Sequence, residues 1–198
     1  MRSDPIVIFG SPRGGTSLVA GCFFNHGFWV GKQFGETSNT YTYYENDDLK
    51  QFIKQNFKLD AGKLMANPEA ADVNKFASRV VPADQLWMWK GPVEYYPIFA
   101  RWFPNMTPVF VFRKEKQAIE AVVRRRGEGE RVHAAAIIRA RYEIQRELVH
   151  TLEYAFAVEA DKVVEGDYSQ VEWVLKAYGI DLDVEACGKH IDSSKWHV

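Results

Sequence analysis

The sequence predicts a single α/β domain over residues 1–198, a parallel β-sheet flanked by helices. Three observations carry this. Short apolar runs recur at 5–10 (PIVIFG), 86–90 (LWMWK) and 107–113 (TPVFVFR), and each gives way to a segment with helical spacing. Runs that are apolar throughout suit strands covered on both faces, as parallel sheets require. A glycine-rich turn joins the first run to the first helix, and 198 residues with 46% hydrophobic and 14% aromatic content suit one core, at about 100–200 residues per domain.

The elements follow in order. PIVIFG reads as a buried strand, SPRGG as a turn and TSLVAGCFFNHG as a helix, with Thr16 and Ser17 at its start and Gly27 as its stop. Residues 28–44 carry no period and read as a long loop, a feature that compact domains keep for function. NDDLKQFIKQNF places Leu49, Phe52, Ile53 and Phe57 at helical spacing behind an acidic start. The polar stretch 58–83 reads as one short helix between loops. The strand LWMWK leads into a helix around 94–103, and TPVFVFR, the clearest strand, into the helix KEKQAIEAVVRRR. A long helix is expected over about 131–158, a strand at 162–165 (KVVE), and a last amphipathic helix, SQVEWVLKAYG, ending at Gly179.

Composition removes several function classes. With 25 basic and 26 acidic residues the net charge is -1, so binding nucleic acid through bulk charge is disfavoured. Cys22 and Cys187 stand far apart and the five histidines form no His-x-x-x-His spacing, so zinc and disulfide scaffolds are excluded and no metal site is expected. No apolar run approaches the roughly 20 residues of a membrane span. The start MRSDPIVIFGSPRGG does not resemble a signal peptide. A cytoplasmic protein without a membrane span is expected.

Gly10-Ser11-Pro12-Arg13-Gly14-Gly15-Thr16-Ser17 fills the first strand-to-helix turn. Backbone N–H groups converge at such a helix N-terminus, where the dipole favours an anion. Gly14 and Gly15 permit close approach, Thr16 and Ser17 add hydroxyls, and Arg13 adds a planar cation suited to phosphate oxygens. Against the Walker A pattern G-x-x-x-x-G-K-[ST], Gly10, Gly15 and Ser17 fit, but Thr16 stands where the lysine belongs. That lysine reaches the terminal phosphates, so its loss disfavours ATP or GTP chemistry.

The segment G-S-P-R-G-G-T-S resembles the 5′-phosphosulfate loop, G-x-P-R-S-G-T-[ST], of sulfotransferases that use 3′-phosphoadenosine 5′-phosphosulfate (PAPS), with Gly14 in place of the usual serine. The strand VFVF ending in Arg113 is similar to that family's 3′-phosphate segment. The serine usual eight residues on is Ala121 here, and Arg124, Arg125 or Arg126 stand near enough to replace it. A magnesium nucleotide enzyme ordinarily places an aspartate at a strand end; here two strand ends carry Lys90 and Arg113.

The resemblance implies a P-loop NTPase-like three-layer α/β/α fold. It implies PAPS as sulfuryl donor, 3′,5′-adenosine bisphosphate (PAP) as product, and no metal. Arg13, Gly14, Gly15, Thr16, Ser17 and Arg113 would bind the nucleotide. Lys90, in a K-x-P context, would stabilise the leaving group. Asn39–Glu45 (NTYTYYE) is similar to a family segment N-P-x-G-Y-[FYW]-E, which makes Glu45 one candidate base; Glu36, in FGETS, is the other. Gly91 and Pro92 exclude the Lys-Thr-His arrangement of other relatives. Tyr41, Tyr43, Tyr44, Tyr95 and Tyr96 are candidates to stack on a ring or to pack, and the tail IDSSKWH resembles a late basic element that closes over the nucleotide. The acceptor implied is the hydroxyl of a small molecule or carbohydrate. Two other readings stand beside this one: a P-loop nucleotide kinase or hydrolase with a degenerate loop, and a non-catalytic nucleotide-binding module.

Overall fold

The computed structural model describes residues 4–31, 51–53, 55, 57–60, 63–66, 81, 85–189 and 191. In chain order the elements are β1 (Ile6–Gly10), α1 (Thr16–Asn25), β2 (Phe57–Asp60), β3 (Lys63–Ala66), β4 (Met88–Pro92), α2 (Tyr96–Trp102), β5 (Thr107–Phe112), α3 (Glu115–Arg126), α4 (Arg131–Thr151), β6 (Phe156–Glu159), α5 (Ala160–Val164), α6 (Ser169–Ala177) and α7 (Val184–Gly188). Single 3-10 turns at Val93–Tyr95 and Glu128–Glu130 lead into α2 and α4.

Four strands form a parallel sheet in the order β4-β1-β5-β6. A bridge between Trp29 and Trp87 extends the parallel pairing beyond β4. β1 is buried at every residue, and its period of two splits the core between the faces. Ile6 and Ile8, with Met88, Val109, Val111 and Val158, pack against α1, α5, α6 and α7. Val7 and Phe9, with Trp89 and Phe110, pack against α2 and part of α4. Phe9 and Phe110 are register partners whose rings stack 5.5 Å apart. Burying a side chain of this size stabilises the fold by about 1.5–3 kcal/mol, so this two-sided sheet is the main source of stability.

On α4 the buried residues Ala134, Ile138, Tyr142 and Gln145 recur at helical spacing, a single stripe. Its first half pairs with α3 through Ala118, Ile119, Val122 and Val123. Among the described residues no helix is long and apolar enough to cross a membrane.

The structure corrects three expectations. The last strand is Phe156–Glu159, and residues 160–164, which include most of the KVVE segment, form α5. Val163 is fully buried against the α1 layer, so the apolar pair that reads as a strand is the inner face of one helical turn. The long helix stops at Thr151, where Thr151 Oγ1 donates to the Glu147 carbonyl at 2.9 Å and Leu152 turns extended. The helix formers in EYAFAVEA conceal that break. Part of the 58–83 stretch is strand: β2 and β3 form an antiparallel hairpin with Phe57 opposite Ala66. Phe57 therefore belongs to β2 and not to the preceding helix, which is described at residues 51–53 and 55.

Gly91 has no room for a side chain. A Cβ there would lie 2.0 Å from the indole of Trp89, which is wedged against Phe99 at 4.2 Å and 12°. Gly91→Ala is expected to lower stability by about 1–3 kcal/mol, the usual cost of overpacking. Chemical denaturation reads this as a lower midpoint at unchanged slope.

Candidate anion-binding site at the carboxyl edge of the sheet

The register aligns the carboxyl ends of three strands: Gly10 of β1 stands opposite Pro92 of β4 and Val111 of β5. The Gly10–Ser17 loop leaves from the middle of this edge. The Gly14 N–H donates to the Ser11 carbonyl at 3.0 Å, closing a turn with Pro12 and Arg13 at its centre. Arg13 has φ 59°, at a turn position that ordinarily takes glycine. Gly15, φ 92°, begins α1, and its carbonyl accepts from Leu18 and Val19 N–H groups. The first N–H groups of a helix have no intrahelical acceptors, and the first turn of α1 carries no acidic residue. An anion would complement these groups.

Gly14, the departure from the G-x-P-R-S-G-T pattern, has a local cause. A Cβ there would meet Ser11 Oγ at 2.9 Å and the Ser11 carbonyl at 3.0 Å. Ser11 fills the space that a side chain at position 14 would need, and its hydroxyl is buried.

Two cations reach the loop from the flanking strands. Lys90, buried on β4, donates from Nζ to Ser17 Oγ at 2.7 Å. Arg113, buried just past β5, donates from Nη1 to the Arg13 carbonyl at 3.3 Å. Burial pushes the Arg113 pKa down, and the nearby charges of Arg124 and Arg13 act the same way, while Asp161 and Tyr142 oppose them. Two further arginines thus act on Arg113, with Asp161 as the stronger, opposing charge; an anion at this edge would act with Asp161. Asp161, also buried, accepts the Lys114 N–H at 2.8 Å on Oδ2.

Helix α4 holds the edge together. Gln145 Nε2 donates to the Val111 carbonyl at 3.0 Å and lies 3.5 Å from that of Phe9, joining the ends of β5 and β1. Arg141 Nε pairs with Glu94 Oε1 at 2.6 Å, just beyond β4. Tyr142 binds the backbone of Arg113. Arg113, Lys114, Tyr142, Arg146, Glu159 and Asp161 line part of a cavity of about 590 Å³.

The structure therefore brings Arg13, Gly14, Gly15, Thr16, Ser17, Lys90 and Arg113 to one edge. Glu36 and Glu45 lie outside the described residues, as do Tyr41, Tyr43, Tyr44 and most of the IDSSKWH tail. Tyr95 and Tyr96 are packing residues: Tyr95 stacks on Trp89, and Tyr96 meets Phe9 and Phe110. Ala121 is half-buried on α3. Of the arginines that follow it, Arg124 is one whose charge acts on Arg113. Sequence reasoning missed Tyr142, Gln145 and Asp161. Their signal was a polar residue inside an otherwise apolar helical stripe, or an acid one residue behind a strand.

No protein-family model and no curated protein matches the sequence. Solved structures do match in fold. The sulfotransferase domain from the Synechococcus PCC 7002 olefin synthase aligns with TM-score 0.60 at 17% identity, covering 94% of this chain and 76% of that one. The sulfotransferase domain from the curacin biosynthetic pathway aligns at 0.58 and 14% identity, covering 94% and 77%. A Mycobacterium tuberculosis H37Rv sulfotransferase aligns at 0.54 and 13%, covering 100% and 74%. The chain has a sulfotransferase fold. That fold is the P-loop-like three-layer arrangement, with the glycine loop after its first strand.

Arg13 provides a test of the loop's backbone. Left-handed φ costs a non-glycine residue about 1–2 kcal/mol, and a glycine adds about 0.4–1 kcal/mol of unfolded-chain entropy. These offset, so Arg13→Gly is expected to move the Tm of the free protein by no more than about 2–4 °C. A larger fall would mean that the Arg13 side chain holds the fold.

Proposed function

We propose that the chain is a PAPS-dependent sulfotransferase, moving a sulfuryl group to a hydroxyl of a small-molecule or carbohydrate acceptor. The observation that carries this reading is the convergence on the glycine loop of Lys90, through Ser17, and Arg113, through the Arg13 carbonyl. The fold shared with sulfotransferase domains supports it.

The donor set suits a sulfated bisphosphate. The loop N–H groups, the Thr16 and Ser17 hydroxyls and Arg13 would hold the 5′ end. Arg113 would hold the 3′-phosphate, with Arg124 supplying what Ala121 does not. Fixed cations meet the ligand charge, so the reading calls for no metal, and Thr16 at the Walker lysine position disfavours a nucleoside triphosphate.

When bound, the donor supplies a sulfuryl group joined through oxygen to a phosphate, a good leaving group. The protein's part is positioning and charge. Glu45, or failing it Glu36, takes the proton of the acceptor hydroxyl as that oxygen bonds to sulfur in line. Lys90 presents its ammonium to the bridging oxygen as the bond from that oxygen to sulfur breaks. Lys90 Nζ donates to Ser17 Oγ at 2.7 Å, so the ammonium is aimed at the loop.

Calorimetric titration with PAP tests the binding half. A charge-assisted hydrogen bond is worth about 1.5–3 kcal/mol, so Arg13→Ala and Arg113→Ala should each weaken PAP roughly 10- to 100-fold, with Arg124→Ala a smaller loss. Unchanged affinity in both of the first two variants would refute the site. For the chemical half, Glu45→Gln is expected to spare PAP affinity and remove sulfate transfer from labelled PAPS. Full activity in that variant passes the role to Glu36.

A further inference from the structure

Resting on that reading, the geometry points to Tyr142 as the positioning residue that gives the site its preference for a 3′-phosphorylated nucleotide. Arg113 is the first residue past β5. The Tyr142 hydroxyl binds its backbone twice, accepting from the Arg113 N–H at 3.1 Å and donating to the Arg113 carbonyl at 2.8 Å. One buried hydroxyl thereby fixes where the Arg113 side chain begins.

The glycine loop lies close to this pair. The Ser11 hydroxyl lies beside that of Tyr142, and the Arg113 guanidinium reaches the Arg13 carbonyl. Tyr142 itself is held by its ring, 5.7 Å from that of Phe112 and under the Arg146 guanidinium. Burial, the leading cause, pushes its pKa up against the pull of Ser11 and Arg113, which keeps the phenol protonated and able to donate. Asp161 completes the support from the other side by binding the Lys114 N–H. A tyrosine on α4, away from either loop in sequence, thus sets the spacing between the two anion sites. In the proposed site that spacing would have to match the separation of the 5′ and 3′ phosphates.

Tyr142→Phe keeps the ring and removes only these hydrogen bonds. In titrations with PAP and with 5′-AMP, which lacks the 3′-phosphate, the variant is expected to weaken PAP about tenfold and to leave 5′-AMP within about twofold, which experimental error covers. Equal losses for both ligands would make Tyr142 a merely structural residue, and no loss for either would remove its role; each overturns the proposal. A double-mutant cycle reads the same coupling with PAP alone: added to Arg113→Ala, Tyr142→Phe should cost nothing further, and additive losses contradict the link. Should Tyr142→Phe lower the Tm, both titrations are run at a temperature where the variant is folded, and the ratio of PAP to 5′-AMP affinity still carries the test. Wild-type protein that binds neither ligand would instead sink the proposed function, a result distinct from all of these.

Discussion

The position of β1 between two parallel neighbours is the constraint on which the site depends. Because Gly10 stands opposite both Pro92 and Val111, the glycine loop, Lys90 and Arg113 emerge on one edge. Antiparallel pairing on either side would send one cation to the opposite end of the sheet. The full burial of β1 fixes that register, since a slip by one residue would exchange the Ile6–Ile8 face with the Val7–Phe9 face. The packing that stabilises the fold therefore also places the charges.

A parallel sheet leaves unmatched backbone groups and aligned charges at its carboxyl edge, and α4 answers both. Gln145 binds the carbonyl of Val111, Tyr142 both polar groups of Arg113's backbone, and Arg141 the carboxylate of Glu94. Each is a buried or half-buried polar contact across an otherwise apolar helix face. Unmade, such bonds would cost about 1–3 kcal/mol apiece, so α4 cannot shift along the sheet without a large penalty. At the same edge the charges of Arg124 and Arg13 act against that of Arg113, and Asp161 acts for it; an anion bound there would add to the support that Asp161 gives.

Much of this was legible in the sequence because the signals were local. PIVIFG followed by a glycine turn reads as strand and loop whatever surrounds it, and TPVFVFR ends in its arginine at the edge where the structure puts it. What was hidden depended on contacts distant in sequence. Phe156–Glu159 is a strand because β5 lies beside it, although Ala157 and Glu159 are helix formers and follow a long helical pattern; tertiary pairing decides there. Residues 58–83 read as a polar stretch because their apolar positions are scattered, and the short pairing of β2 with β3 needs no continuous apolar run. Tyr142 reads as one more aromatic in a helical stripe, and only the third dimension sets its hydroxyl against Arg113. Gly14 looks like a lost hydroxyl until Ser11 is seen to occupy its space.

The central claim is that this edge holds a 3′,5′-bisphosphate nucleotide on fixed cations. A thermal-shift titration with PAP in the presence of EDTA, run beside ATP with magnesium, tests it most directly. At 100 times the dissociation constant a ligand adds about 2.7 kcal/mol to native stability, a rise of roughly 5–10 °C for a chain of this size. Such a rise with PAP and none with ATP is the predicted result. A rise with magnesium ATP alone, or with neither nucleotide, would contradict it.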